Sequence, residues 1–255
     1  MPSLKRAPDT TNALNQSTRA RERLDADDFR EHEISICGKA FIALASGALY
    51  WPSEDALIVA DLHLEKASAF ARHGQMLPPY DTRATLTRLA QVLDQTEATT
   101  VVALGDSFHD NGGPQRMSAE DLEILRLLQD GRDWLWLTGN HDAVIAAGAG
   151  GTVRNAITVE GITLRHEPAT ARVTHEIAGH LHPAAKLSRH GHCIRRPCFV
   201  GNGLRLVLPA FGAFTGGLNI LDDAFEPLFG NDGMSVWMLG QDGLYPVATR
   251  NLRPD

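Results

Sequence analysis

Five short stretches of this chain set oxygen and nitrogen donors directly after apolar runs. They are Asp61 and His63 in "ALIVADLH", Asp106 in "TVVALGD", Asn140 and His141 in "DWLWLTGNHD", His166 in "ITLRH", and His180 and His182 in "EIAGHLH". Strand side chains alternate, so residues two apart share a face if these stretches are extended. On that basis Asp61 faces the same way as His63, and His180 the same way as His182. Pro183 cannot donate to a ladder, so the strand carrying "EIAGHLH" should stop there. Each stretch has a plainer alternative: "GD" as a turn, "GNHD" as an Asn/Gly turn, "DLH" as a capping Asp, "GHLH" as two surface histidines. All five in one order, each at a strand end, point instead to a metal centre. Carboxylate, amide and imidazole donors in this number exceed one tetrahedral ion and suit two cations sharing a bridging carboxylate.

The elements that must position these donors can be read in outline. "EISICGKAFIAL" alternates around a Gly-Lys turn and predicts a hairpin, continued by "GALYWP". "ALIVAD", "TVVALGD" and "DWLWL" are apolar runs suited to buried strands whose carboxyl ends carry chemistry. "DTRATLTRLAQVLDQ" puts Leu86, Leu89, Ala90 and Leu93 at helical spacing, with Asp81 as its expected N-cap. "SAEDLEILRLLQD" opens with a capping-box pattern, Ser118 followed by Asp121. Later segments are mostly short strands: "AITV" and "ITLRH", then "HCIRRPCFV" and "LRLVLPAF" around Gly-Asn-Gly, then "GLNIL", "SVWML" and "LYPVA". Strand and helix alternate in the first half, and strands dominate the second. That order predicts an α/β sandwich of two packed sheets in one domain over 31–255.

Composition narrows the class. With 255 residues, 43% of them hydrophobic, the chain can bury a substantial core. No apolar run approaches the roughly 20 residues that span a bilayer. Residues 1–30 are polar, lack a signal-peptide core and read as a disordered leader. Three cysteines, Cys37, Cys193 and Cys198, make no disulfide framework, so a reducing cytoplasm is expected. A net charge of -7 argues against a broad basic surface for nucleic acid, though not against a local basic patch.

The series "DLH … GD … GNHD … H … GHLH" resembles the signature of calcineurin-like metallophosphoesterases. The resemblance implies a sandwich of two mixed β-sheets flanked by helices, and a binuclear site. One metal would be held by Asp61, His63, Asp106 and His182, and the other by Asp106, Asn140, His166 and His180. His141 would be the catalytic histidine that binds no metal, and Asp106 would bridge. A hydroxide between the metals would attack phosphorus, and manganese, iron or zinc would all suit the ligands.

Longer segments narrow the resemblance further. "ALYWP", "ADLHLEKASAFARHGQMLPPYDT", "ALGDSFHD", "RDWLWLTGNHD", "LRHEP", "RRPCFV" and "LPAFGAFTGGLN" look like one bacterial subgroup, over roughly residues 32 to 248. It is the ligase-associated DNA damage response endonucleases, which are manganese-dependent. That implies a DNA endonuclease preferring single strands and acting in repair, beside an ATP-dependent DNA ligase, a helicase and an exonuclease. A small-molecule phosphodiesterase for cyclic nucleotides is the alternative, and a partner-binding scaffold without catalysis the third. The second motif departs from the wider family: Ser107, Phe108 and His109 follow Asp106, and Asp110 comes one place late. His109 is therefore a candidate partner for His141 or a substrate contact.

A DNA substrate asks for cations near the metals to hold flanking phosphates. Candidates are Lys66 and Arg72, Arg165 beside His166, and Arg195 with Arg196, of which an extended chain turns only one toward the site. Arg83 is a further candidate, with pairing to an acid of its own helix as the equal alternative, and Tyr80 is expected to pack in its loop rather than stack on a base. The run "RHGHCIRRPC", with His190, His192, Cys193 and Cys198, matches no common zinc spacing and is read as a hairpin end with one or two buried thiols.

Overall fold

The computed structural model describes residues 31–142, 147–170, 175–189, 192–230, 233–241 and 243–255. The expected leader therefore lies outside the described residues, as does His190. The first sheet has seven strands in chain order: β1 (Glu31–Ile36), β2 (Lys39–Leu44), β3 (Leu49–Trp51), β4 (Ala56–Val59), β5 (Thr100–Ala103), β6 (Asp133–Leu137) and β7 (Thr152–Arg154). From β1 to β4 neighbours run antiparallel, and from β4 to β7 they run parallel. The parallel half needs crossovers, and two of these hold the helices α1 (Lys66–Ala71), α2 (Asp81–Thr96), α3 (Gly113–Arg116) and α4 (Ala119–Gln129).

The second sheet follows in the chain. Its strands are β8 (Ala156–Val159), β9 (Ile162–Arg165), β10 (Glu176–Ala178), β11 (Pro183–Arg189), β12 (His192–Gly201), β13 (Arg205–Val207), β14 (Leu218–Asn219), β15 (Ser235–Leu239) and β16 (Leu244–Val247). Their order is β14-β11-β12-β13-β10-β9-β8, with the β15-β16 hairpin joined to β12. Strand β10 runs parallel to both β9 and β13, whereas β12 is antiparallel to β11 and β13. Both sheets are thus mixed, as the resemblance implied.

Alternation in β4 explains how the layers stack. Ile58 points into the space between the sheets, where Ile34, Phe41, Leu49 and Trp51 meet Ile162, Leu164, Ile177, Phe199 and Leu206. Leu57 and Val59 point the other way, onto Leu86, Leu89, Val92 and Leu93 of α2 and Leu125 of α4. Beyond the second sheet, Phe225, Leu228 and Phe229, with α5 (Glu226–Phe229), cover Cys198, Val200, Val207 and Met238. Each fully buried Leu, Ile or Phe contributes about 1.5–3 kcal/mol relative to exposure, so all three layers hold the fold. No helix among the described residues is long and apolar enough to cross a membrane.

Local readings were corrected in four places. Asp81 does not cap its own helix: it is the first residue of α2, and its Oδ2 accepts the Ala67 N–H at the start of α1. That bond ties the two helices beside the "DLH" segment. Arg83 pairs with Asp121 and Glu120 of α4, not with an acid of its own helix. Tyr80 is 68% exposed rather than packed. Pro183 does not end the preceding strand, which stops at Ala178; it opens β11, where a missing N–H is tolerated. Ser118 caps α4 as expected, accepting the Asp121 N–H at 3.0 Å.

Candidate metal centre

The donors sit beyond the strands, and not by strand alternation. β4 ends at Val59, and Asp61 and His63 both have left-handed backbones, with φ of 53° and 44°. β10 ends at Ala178, and His180 and His182 have φ of 71° and 45°. Asp106 has φ of 46°. The expected pairing on a strand face is therefore replaced by left-handed residues beyond the strand ends. For a residue with a Cβ this conformation costs roughly 1–2 kcal/mol. Outliers clustered in this way are common at functional sites.

These segments bring together two groups of donor atoms. Asp61, His63 and His182 form one, and Asp106, His166 and His180 the other; within each group the candidate ligand atoms all lie within 4.8 Å of one another. In the first, His182 Nε2 is 3.3 Å from Asp61 Oδ1 and 3.2 Å from His63 Nε2. In the second, His166 Nε2 is 3.4 Å from Asp106 Oδ1, 3.1 Å from His180 Nδ1 and 2.9 Å from Asn140 Oδ1. Asp106 reaches both, since its Oδ2 lies 3.9 Å from His63 Nε2. In the "RHGHCIRRPC" run, of which His190 lies outside the described residues, His192 and Cys193 are exposed and Cys198 is buried.

This donor set fits two cations. Imidazole nitrogens facing one another at 3.1–3.2 Å are spaced as ligands of a common ion would be, given metal–nitrogen bonds of about 2.0–2.1 Å. His166 Nδ1 meets the Leu104 carbonyl at 2.8 Å, which directs Nε2 at the group. The Asp61 carboxylate is held by the His180 N–H at 3.0 Å, and Asp106 Oδ1 by the His141 N–H at 2.9 Å. Burial and the charge of His182 push His63 down to about 3, so its ring is neutral at neutral pH. Burial alone would raise Asp106, but its bond to His166 and the His141 N–H bring it down to about 2.

Two glycines permit the approach. A Cβ on Gly139 would lie 2.1 Å from Asp106 Oδ1, and one on Gly179 would lie 2.6 Å from Asp61 Oδ2. The Gly of "GNH" and the Gly of "GH" are thus required by close contact with a carboxylate.

His141 stands beside the groups rather than in them. Its Nδ1 is 3.0 Å from the His109 carbonyl oxygen, and its Nε2 is 4.0 Å from Asp106 Oδ2. The expected partner role of His109 falls to its main chain, while its ring stacks on His141 at 5.1 Å. Asp110 turns away, accepting Arg116 through both oxygens and the Gly112 N–H.

Sequence reasoning missed Asp142. This buried carboxylate accepts the N–H groups of Asp106, Ser107, Phe108 and Gly139 at 2.7–3.1 Å, fastening the "GD" turn to the "GNHD" turn. Burial pushes its carboxyl up to about 6, against the pull of those N–H groups. Its place directly after "GNH" was the only signal available.

The candidate substrate cations are dispersed. Arg72 is exposed at the end of α1. Lys66 Nζ donates to the Phe214 carbonyl at 3.0 Å, tying α1 to the loop after β13. Arg165 lies 3.9 Å from Glu176. Arg195 is engaged by Asp255 and by the Gly217 carbonyl, and Arg196 is exposed.

Comparison with known proteins was made on sequence and on structure. The profile of the calcineurin-like phosphoesterases matches residues 56–199. The structure aligns with the crystal structure of Pseudomonas putida nuclease MPE at a TM-score of 0.67 and 30% identity, covering 85% of this chain and 100% of that one. It also matches the protein of unknown function AQ665 from Aquifex aeolicus (20% identity, 53% and 81% coverage, TM-score 0.36). A further match is Yfce, a phosphoesterase from E. coli (18% identity, 76% and 98% coverage, TM-score 0.37). The last two are too distant to bear on this chain. No curated protein matches the sequence.

Proposed function

The chain belongs to the calcineurin-like phosphoesterase family, and from that premise we propose that it is a DNA endonuclease preferring single strands. Membership makes it a metal-dependent hydrolase of a binuclear family. The observation that carries the two-metal reading is Asp106, whose carboxylate lies within 3.4 Å of one donor group and 3.9 Å of the other. In this reading Asp61, His63, Asp106 and His182 hold one ion, and Asp106, Asn140, His166 and His180 hold the second. Two divalent cations bound there would lower the pKa of a shared water and offset charge gathering on the phosphate.

The chain's own groups do the rest. His63 presents a neutral imidazole, and Asp61 and Asp106 supply the anionic charge that two cations need. His141 donates its Nδ1–H to the His109 carbonyl, so Nε2 faces the site and donates to the leaving oxygen when the ring is protonated. With oxygen and nitrogen donors and no thiolate, manganese, iron and zinc all suit the ligands, and manganese is favoured on the resemblance to the ligase-associated subgroup.

The nucleic-acid part rests on the P. putida protein, a nuclease whose whole length this chain covers at 30% identity. Assignment to the ligase-associated DNA damage response subgroup, and with it a cytoplasmic role in repair beside an ATP-dependent ligase, a helicase and an exonuclease, rests on the sequence segments quoted above. The net charge of -7 is compatible with a second reading, a small-molecule cyclic-nucleotide phosphodiesterase.

Circular single-stranded DNA with added manganese separates the readings, because a circle has no ends for an exonuclease. Wild type should cut the circle, and Asp106→Ala and His141→Ala should not. An intact circle alongside hydrolysis of a cyclic nucleotide would favour the second reading. An intact circle with hydrolysis only of bis-p-nitrophenyl phosphate would leave the metal chemistry standing and remove DNA as substrate.

A further inference from the structure

Beside the donor groups lies a groove of about 400 Å³ lined by Ala69, Phe70, His73, Gln75, His109 and Asp110. A volume of that order is within the range that holds small organic ligands. Its walls are the half-buried ring of Phe70 and the ring of His109, 5.4 Å apart between centroids and inclined by 38°. The ring series continues inward: His109 stacks on His141 at 5.1 Å, and His141 meets His63 edge-on at 5.2 Å. A path of aromatic faces thus leads from the groove to a candidate metal ligand.

Charge at the rim suits a polyanion. Asp110, the groove's one acid, is bonded through both oxygens to Arg116, so its charge is offset where a phosphate would approach. The guanidinium of Arg72 lies close by, 3.9 Å from where a Cβ on Gly112 would stand. Aromatic faces with cations at their edge are the combination by which proteins hold single-stranded nucleic acid.

We propose that this groove is a stacking subsite for the nucleobase next to the cleaved phosphodiester, with Phe70 and His109 as its platform. The proposal rests on the nuclease reading above. His73 and Gln75 line the same groove and are its groups available to the polar edge of a base. Stacking reads no sequence, since every base has a π face. The subsite therefore requires a base but does not select one.

The test uses end-labelled single-stranded oligonucleotides in which one abasic residue is moved stepwise through the sequence, with manganese present. Cleavage at the bond one fixed step from the abasic residue should fall about tenfold or more, and more distant bonds should cut as before. In Phe70→Ala the ratio of intact to abasic cleavage at that bond should approach one, and Phe70→Trp should restore it. Phe70→Leu, which keeps most of the volume, serves if the Ala variant does not fold. Equal cutting beside the abasic residue and elsewhere by wild type overturns the subsite and leaves the nuclease intact. If no strand is cut while bis-p-nitrophenyl phosphate is hydrolysed, the nuclease reading fails and the subsite falls with it.

Discussion

His141 holds its Nδ1 3.0 Å from the carbonyl oxygen of His109, a bond that no substitution of the His109 side chain removes. The two histidines should therefore separate on mutation. His141→Ala should lower kcat by about 10²–10⁴, the usual loss on removing a positioned acid or base. His109→Ala keeps the carbonyl and should cost much less on bis-p-nitrophenyl phosphate. Steady-state kinetics of both variants decide it, and equal losses would assign His109 a direct part in the chemistry.

Metal content should follow the two groups. Wild type should retain about two divalent ions per chain and His182→Ala about one, and Asp106→Ala should retain fewer still, because Asp106 faces both groups. Elemental analysis after gel filtration reads this directly. Ions bound only by the native state stabilise it by about 2.7 kcal/mol at a hundredfold excess over Kd, so chelation should lower Tm. Unchanged metal content in Asp106→Ala would count against a shared carboxylate.

Away from the site, Glu176 and Arg205 form an ion pair across β10 and β13, 0% and 2% exposed. Arg205 also donates to the Leu228 and Ala169 carbonyls, joining the second sheet to its covering segments. Glu176→Ala leaves a buried cation, and should destabilise the fold by about 3–5 kcal/mol. The urea midpoint measures it; a shift worth under about 1 kcal/mol would mean that water or another group takes over the charge.

The three thiols should differ in reactivity. Cys193 is exposed, Cys37 is partly covered, and Cys198 is fully buried. Burial pushes the Cys198 thiol far above its usual range, outweighing the opposing charge of Arg195, and burial also raises Cys37 against the pull of Lys39. Since the thiolate is the reacting species, Ellman's reagent at pH 8 should label Cys193 first and Cys37 slowly. Cys198 should react only on unfolding, and rapid labelling of all three would mean that the layer over the second sheet opens readily.

Much of this was legible before any coordinates. Apolar runs marked β4, β5 and β6, and an acid, an amide or a histidine soon after each marked where chemistry would lie. The seven donors then converge, but the expected reason for their convergence was wrong. Period-two spacing of Asp61 with His63 and of His180 with His182 suggested strand faces, whereas left-handed backbones beyond the strand ends set them in place. Asp, Asn and His enter the left-handed region more often than other non-glycine residues, but too seldom for residue type alone to announce it. Asp142 was hidden for another reason: its partners are main-chain N–H groups, which every residue but proline offers. The capping of Ser118 by contrast is local, between neighbours in the chain, and was read correctly.

Each donor group draws on both sheets. Asp61 and His63 follow a strand of the first sheet, and their companion His182 follows a strand of the second; Asp106 follows the first, and His166 and His180 the second. A chain emerging during synthesis can therefore complete neither group from its first 142 residues. Nor does a lone sheet offer a full set of ligands to whatever ion is abundant nearby. Metal selection is thereby postponed until the sheets have docked face to face, a step built on long-range contacts and slow for that reason. The acquired ion thus reports a finished fold.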